Sequence, residues 1–155
     1  SSNKILETYH NYILKKKLKQ SIVYAKMNLF KENKFLKVMD PYKSYLKKNM
    51  RMNHPTWFVS KQIYNKIGNY DTKYKIAADY DFALRCLKSN CDFHQINYPT
   101  INFALGGISD ISKTTVIESF IVRKNNHHIS YIDNYYYLFI EFMDLIKSSL
   151  KKIIN

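Results

Sequence analysis

Apolar residues recur at helical spacing in some parts of the chain and form compact β-prone runs in others. Residues 4–18 carry apolar side chains at intervals of three and four, which predicts an amphipathic first helix. The run 21–30 is rich in β-prone residues and too short for a long helix, so we predict a strand. Further strands are predicted at 35–38, 56–59, 93–97 and 100–104, and further helices at 42–49, 61–67, 78–89, 113–125 and 134–154.

Proline, glycine and serine mark several of the predicted boundaries. Ser60 is a suitable N-cap for helix 61–67, and Gly68 is expected to end that helix. Pro99 separates the two strands predicted between residues 93 and 104. No repeat and no linker rich in proline, glycine or serine is present, so we expect one compact unit. Within it, residues 111–155 are predicted to form a helical extension of residues 1–110.

Chain length and cysteine content limit the class of protein. A chain of 155 residues can bury a core without disulfides, and its two cysteines, Cys86 and Cys91, are too few for a disulfide scaffold. Cys86 falls where helix 78–89 should bury it. The longest apolar stretch, 135–143, is interrupted by Glu141 and is too short to span a bilayer. We therefore predict a cytoplasmic protein, with the inner face of the plasma membrane as an alternative location.

The formal net charge of +13 has two interpretations. Clustered Lys and Arg favour binding to nucleic acid or anionic lipid. The abundant Lys, Asn, Ile and Tyr are also the residues that A- and T-rich codons encode, so the composition of the genome can produce the same charge. No basic helix with interleaved aromatics and no zinc-ligand spacing is present, and His127-His128 lacks a third ligand. We expect no nucleic-acid partner and no metal bound by this chain.

Helix 78–89 carries the residues of greatest chemical interest. Advancing 100° per residue places Asp81, Arg85 and Lys88 on an exposed side, where Asp81 and Arg85 form an i,i+4 pair with a structural role. Asp79 is in phase with the apolar residues and points inward from the first turn. Periodicity allows two roles for Asp79, a plain N-cap and a functional carboxylate. The predicted buried stripe consists of Tyr80, Ala83, Leu84, Cys86 and Leu87.

Four segments together resemble the acceptor half of family 2 glycosyltransferases that build bacterial surface polysaccharides. They read HPTWFV at 54–59, IGNYD at 67–71, YKIAADYDFALR at 74–85 and GGIS at 106–109. The resemblance covers about residues 21–109 and implies an α/β fold, the C-terminal part of a Rossmann-like GT-A domain with a mixed sheet flanked by helices. In that family an acidic pair opens the helix and its Asp is the catalytic base. Because Ala78 precedes it here, the role carries over to Asp79 alone.

The resemblance also implies substrate-binding positions. The family places a histidine near the acceptor and the diphosphate, which corresponds to His54. The adjacent Gly106 and Gly107 permit a backbone that no side chain could follow, which suits Gly107 for the floor of a substrate site. Ser109 is positioned to donate a hydrogen bond there. Each has a simpler alternative: His54 as a polar loop residue, and Gly106-Gly107 as a tight turn. Trp57, which lies in the predicted strand 56–59 beside Phe58 and Val59, is more typical of a core residue than of a sugar platform.

The family's nucleotide-binding half and its metal-binding Asp-x-Asp should precede the first helix, and neither is found before Ile5. The resemblance therefore implies a divalent metal, Mg or Mn, held by that other half. The implied partners are a nucleotide-sugar donor and a glycan or lipid-linked acceptor, with inverting transfer. We expect this piece to transfer no sugar unaided. A non-catalytic peripheral membrane or scaffold module with the same fold is the alternative from a different class.

The last predicted helix is amphipathic, with lysines opposite its apolar stripe. Such a helix can lie in the headgroup layer of an anionic membrane. It can equally pack on its own domain, because Tyr and Phe fill cores well. The apolar positions are Tyr135, Leu138, Phe139, Phe142, Leu145, Ile146, Leu150, Ile153 and Ile154, and the lysines are Lys147, Lys151 and Lys152.

Overall fold

The computed structural model describes residues 2–105, 112–126 and 129–154. Over these residues the chain is an α/β protein with a four-stranded mixed sheet and five α-helices. The helices are α1 (Ser2–Lys16), α2 (Lys61–Ile67), α3 (Ala78–Lys88), α4 (Lys113–Asn126) and α5 (Tyr131–Ile154). The strands are β1 (Ser21–Lys31), β2 (Lys34–Met39), β3 (Phe58–Val59) and β4 (Asp92–Ala104), and short 3-10 turns span Lys43–Tyr45 and His54–Thr56.

The chain divides into two compact units. The sheet unit comprises Ser1–Lys43, Arg51–Asn69 and Ser89–Leu105, and the helical unit comprises Ser44–Met50, Tyr70–Lys88 and Gly106–Asn155. The predicted division between residues 110 and 111 falls outside the described residues and stays a prediction.

Strand β1 is the centre of the sheet. Its residues 21–25 are buried, as expected for a strand hydrogen-bonded on both sides. One side pairs in parallel with β4 from Ser21 to Phe30, and the other pairs antiparallel with β3 and then β2. The prediction that the strands near Ile22, Trp57, Phe93 and Ile101 form one mixed sheet is confirmed, although Trp57 itself lies just before β3.

Helix α1 covers the sheet through one buried tyrosine. Tyr9 is 1% exposed, and its ring stacks on Phe58 with centroids 3.9 Å apart. Its hydroxyl donates to the carbonyl oxygen of Thr56 at 2.6 Å and lies 3.1 Å from Thr100 Oγ1. The burial of apolar area by Tyr9, Val23 and neighbouring side chains is the main force that holds α1 on the sheet.

The prediction of two strands around Pro99 is wrong, because β4 is continuous. Its pairing with β1 shifts register on both sides of Lys26, which is opposite Pro99. Proline has no N–H for the ladder and is tolerated in strands mainly at edges and bulges. The irregularity lets β4 pass through Pro99 and continue to Ala104 instead of ending there.

Two other elements are shorter than predicted. Residues 42–49 contain a single 3-10 turn, Lys43–Tyr45, followed by turns instead of a helix. The strand predicted at 56–59 is limited to Phe58–Val59, because Pro55 and Thr56 belong to the 3-10 turn His54–Thr56. Thr56 is buried there, and its hydroxyl bonds to both backbone groups of Ala25 on β1. A side-chain bond thus replaces the strand pairing.

Serine residues define the starts of the two long helices of the helical unit. The Ser112 hydroxyl accepts a hydrogen bond from the backbone N–H of Thr115 and so caps α4. The Ser130 hydroxyl accepts a hydrogen bond from the backbone N–H of Asp133 and donates one to the Asp133 carboxylate. This reciprocal cap starts α5 three residues earlier than predicted.

No described helix combines the length and apolar content needed to cross a bilayer.

Candidate functional site

The backbone that leads into α3 is fixed by a single carboxylate from α4. Glu118 accepts hydrogen bonds from the N–H groups of Lys75, Ile76 and Ala77 at 3.0, 2.8 and 2.9 Å. These groups directly precede α3, where the partial positive charge at the helix N-terminus favours a carboxylate. Glu118 thus fixes the position of the helix start that carries Asp79.

The protonation of Glu118 reflects these bonds. Partial burial acts to raise its pKa, but the three N–H donors and the nearby Lys75 charge oppose burial and lower the pKa overall. The carboxylate is therefore ionised whenever the pH is above its usual titration range. An ionised Glu118 keeps all three acceptor bonds in place.

Asp79 lies in the first turn of α3 and is half-buried. One of its carboxylate oxygens accepts a hydrogen bond from the backbone N–H of Tyr80 at 2.8 Å. Tyr80 itself is 1% exposed, and burial raises its phenol pKa far above the usual value, an effect that the Arg123 guanidinium opposes only in part. Asp79 thus combines a fixed backbone with partial access from outside.

Asp81 contradicts the predicted exposed position, because it is 5% exposed. One carboxylate oxygen accepts from Arg85 Nε at 2.8 Å and the other from Asn126 Nδ2 at 3.1 Å. The predicted i,i+4 pair with Arg85 is present, but it lies at the junction of α3 with α4 instead of on a solvated face. Both oxygens of Asp81 are engaged within the helical unit, which fits its predicted supporting role.

A buried arginine joins α4 to α5. Arg123 is 0% exposed and forms a two-bond ion pair with Glu141 at 2.8 and 2.9 Å. It also donates to Asn134 Oδ1 and to the carbonyl oxygen of Lys48. Burial acts to lower the pKa of Arg123, whereas the Glu141 carboxylate raises it above its usual value, so Arg123 stays charged.

Sequence reasoning missed Glu118 and Arg123. A usable signal for Arg123 exists in α4, where Ser119, Arg123 and Asn126 stand at i, i+4 and i+7 on the same face as Val116. All four are buried. Polar residues that share a predicted core face indicate a hydrogen-bonded network. Glu118 has no comparable signal, because its partners are backbone groups more than forty residues away.

His54 belongs to the sheet unit and stands exposed on the 3-10 turn. Its ring lies edge-on to Trp57 with centroids 5.8 Å apart. The turn is anchored beneath by Asn53, which donates to the carbonyl oxygens of Ala25 and Met39. His54 is thus presented from a rigid support. Asp79 lies in the helical unit, and Gly107 and Ser109 lie outside the described residues, so their predicted shared site stays a prediction.

Comparisons with protein-family models, curated proteins and solved structures find no match. Among the described residues no three or more His, Cys, Asp or Glu side chains are grouped to hold a metal ion.

Proposed function

We propose that this chain is the acceptor-side part of an inverting, nucleotide-sugar-dependent glycosyltransferase of the GT-A type, with Asp79 as its catalytic base. The transfer would serve the synthesis of surface polysaccharide, with a glycan or lipid-linked acceptor. Support comes from the resemblance of residues 21–109 to family 2 glycosyltransferases and from the α/β fold with its mixed sheet.

The observation that carries the proposal is the contrast between the two carboxylates of α3. Asp81 is buried and engaged by Arg85 and Asn126, so its role is to join helices. Asp79, two residues earlier, is half-buried at the helix start, where Glu118 fixes the preceding backbone. A general base needs a fixed position and contact with substrate. Of these two carboxylates, Asp79 is the one whose partial exposure leaves room for a substrate.

The chemistry assigned to Asp79 is removal of one proton. As the acceptor hydroxyl oxygen attacks the anomeric carbon of the donor sugar, Asp79 takes the hydroxyl proton. The bond from that carbon to the nucleotide diphosphate breaks on the opposite face, and the configuration inverts. His54, Gly107 and Ser109 are proposed to contact the substrates, and Arg85 supports α3 through Asp81.

The divalent metal that the resemblance implies, Mg or Mn, would assist the departure of the diphosphate. The described residues provide no cluster suited to hold it. Metal binding is assigned instead to the nucleotide-binding half of such enzymes.

The test compares Asp79→Asn with Asp133→Asn in the complete gene product, assayed against a panel of nucleotide sugars. Asp133 is a matched control because it is also a first-turn carboxylate of a helix in the helical unit, but it is exposed. Loss of the base should lower turnover by about a hundredfold or more, the low end of the effect of a general base. The Asp133→Asn variant should keep wild-type turnover.

Retention of more than about a hundredth of wild-type turnover by a folded Asp79→Asn protein would exclude Asp79 as the base. Donor binding, measured by calorimetry, should be nearly unchanged in the same variant, because the proposed role is proton transfer. A complete gene product that turns over none of the nucleotide sugars would favour the alternative, a non-catalytic membrane or scaffold module with this fold.

A further inference from the structure

Helix α5 exposes a broad apolar face. Ile132 is 83% exposed and Phe139 63%, although isoleucine and phenylalanine are usually buried, and Tyr135 is 61% exposed. The other members of this face are Tyr131, Tyr136, Phe142, Met143, Ile146 and Leu150. A contiguous surface of this kind on one helix marks a docking site.

The opposite side of α5 packs within the helical unit, and from the exposed face the Tyr135 ring also lies against Phe120, with centroids 5.2 Å apart. Asn134 is buried and bonded to Arg123, and Glu141 forms the ion pair with the same guanidinium. These bonds fix the rotation of the helix about its axis. The apolar face therefore points outward because buried polar contacts hold it there.

The exposed face carries no charge. On a projection of 100° per residue, its nine side chains fill an arc of roughly 140°. Among the described side chains of α5, the carboxylates of Asp133 and Asp144 lie beyond one edge of this arc. Lys147, which the sequence pattern placed opposite the apolar stripe, lies beside the same edge of the exposed face and is 68% exposed. A lysine thus stands closer to the apolar face than either exposed carboxylate.

A second copy of the chain is the strongest competing occupant, since residues 132, 135, 139, 142 and 146 repeat at intervals of three and four. A two-helix seam, however, uses a stripe narrower than about 100° and has charged residues beside it. Here the flanking positions are apolar, with Tyr136, Met143 and Leu150. A partner helix would leave much of the face in water, whereas a lipid layer covers its whole width.

We propose that the α5 face docks the protein onto an anionic membrane surface, with α5 lying in the headgroup layer. Aromatic side chains with one polar end, such as Tyr135 and Tyr136, suit this layer. The formal net charge of +13 draws the whole chain toward anionic lipid, and Lys147 at the border of the face can contact phosphates. This docking is independent of the proposed transferase activity.

The experiment is co-sedimentation of the whole protein with vesicles of phosphatidylcholine alone or mixed with phosphatidylserine. We expect binding to the mixed vesicles that weakens as salt rises, because surface charges are screened. Phe139→Glu should lower this binding by about tenfold or more, since one large apolar side chain no longer enters the lipid layer. Ile146→Glu should act in the same direction.

Gln62→Glu is the charge-matched control, because Gln62 is exposed on α2 in the sheet unit and the change adds the same carboxylate. It should bind like the wild type. The proposal is overturned if the wild-type protein does not bind the mixed vesicles, or if Phe139→Glu binds them as strongly as the wild type. The proposal is also overturned if the wild type is a dimer, Phe139→Glu dissociates that dimer, and neither protein binds vesicles. That result would assign the face to a second copy of the chain.

Discussion

The carboxylate of Glu118 on α4 lies 2.9 Å from the backbone nitrogen of Ala77, the residue directly before α3. Two further N–H groups, those of Lys75 and Ile76, bind the same side chain. One residue therefore holds three consecutive backbone donors directly before the helix, and the donor of Ala77 is at the N-cap position, which has no helical partner. The start of α3, and with it Asp79, depends on a residue that takes no part in the proposed proton transfer.

Glu118→Gln should lower the free energy of unfolding by about 1–2 kcal/mol, because an amide group turns an N–H donor toward backbone donors. The measurement is urea unfolding followed by circular dichroism. Glu7→Gln is the control, since Glu7 is exposed on α1. Equal stability of the two variants would contradict the role assigned to Glu118.

The same carboxylate predicts a pH dependence. Its pKa is lowered in the folded protein, so its contribution to stability is present above the unfolded-state pKa near 4.5 and is lost as pH falls through the lower folded value. The stability difference between wild type and Glu118→Gln should therefore be full at pH 6 and should shrink below pH 4.5. A difference that stays constant down to pH 3 would show that ionisation of Glu118 does not stabilise the fold.

Asp79→Asn and Asp81→Asn should separate function from stability. Asp81→Asn disrupts buried bonds to Arg85 and Asn126 and should lower the free energy of unfolding by about 1–3 kcal/mol. Asp79→Asn should change it by less than about 1 kcal/mol, because Asp79 is only half-buried. Thermal unfolding of both variants measures these changes. If Asp79→Asn lowered stability more than Asp81→Asn, the structural role would belong to Asp79 instead of Asp81.

Removal of the buried guanidinium should be the most damaging of these changes. Arg123→Met leaves Glu141 with an unpaired charge and should lower stability by about 3–5 kcal/mol, the usual effect of breaking a buried ion pair. The double variant Arg123→Met with Glu141→Leu should recover part of that loss. Lys124→Met, at the exposed neighbouring position, serves as control. A double variant no more stable than Arg123→Met would refute the charge argument.

Periodicity predicted where α3 lies and most of its buried face, because Tyr80, Ala83, Leu84 and Cys86 are all buried as expected. It failed for Asp81, whose burial depends on Asn126, 45 residues away. Helical spacing describes one helix in isolation, whereas the environment of a polar side chain depends on the element packed against it. Glu118 was not predicted for the same reason, because its partners belong to a distant segment of the chain.

Helix α5 shows a different limit of the sequence pattern. The apolar spacing predicted an amphipathic helix, and the structure confirms a helix over Tyr131–Ile154. The pattern could not tell which part of the stripe packs inward. The buried Asn134 and the paired Glu141 decide this, and they leave Phe139 and Phe142 exposed.

The parallel pairing of β1 with β4 has a consequence for how the chain folds. Ser21 is opposite Asp92, so the central ladder joins segments about seventy positions apart. Closing so long a loop is entropically unfavourable before the contacts form, and sheets built on distant pairs fold slowly. We expect the β1–β2 hairpin to form early and the β1–β4 ladder late. Once formed, β1 is bonded on both sides, so its amide hydrogens should be among the slowest to exchange with solvent.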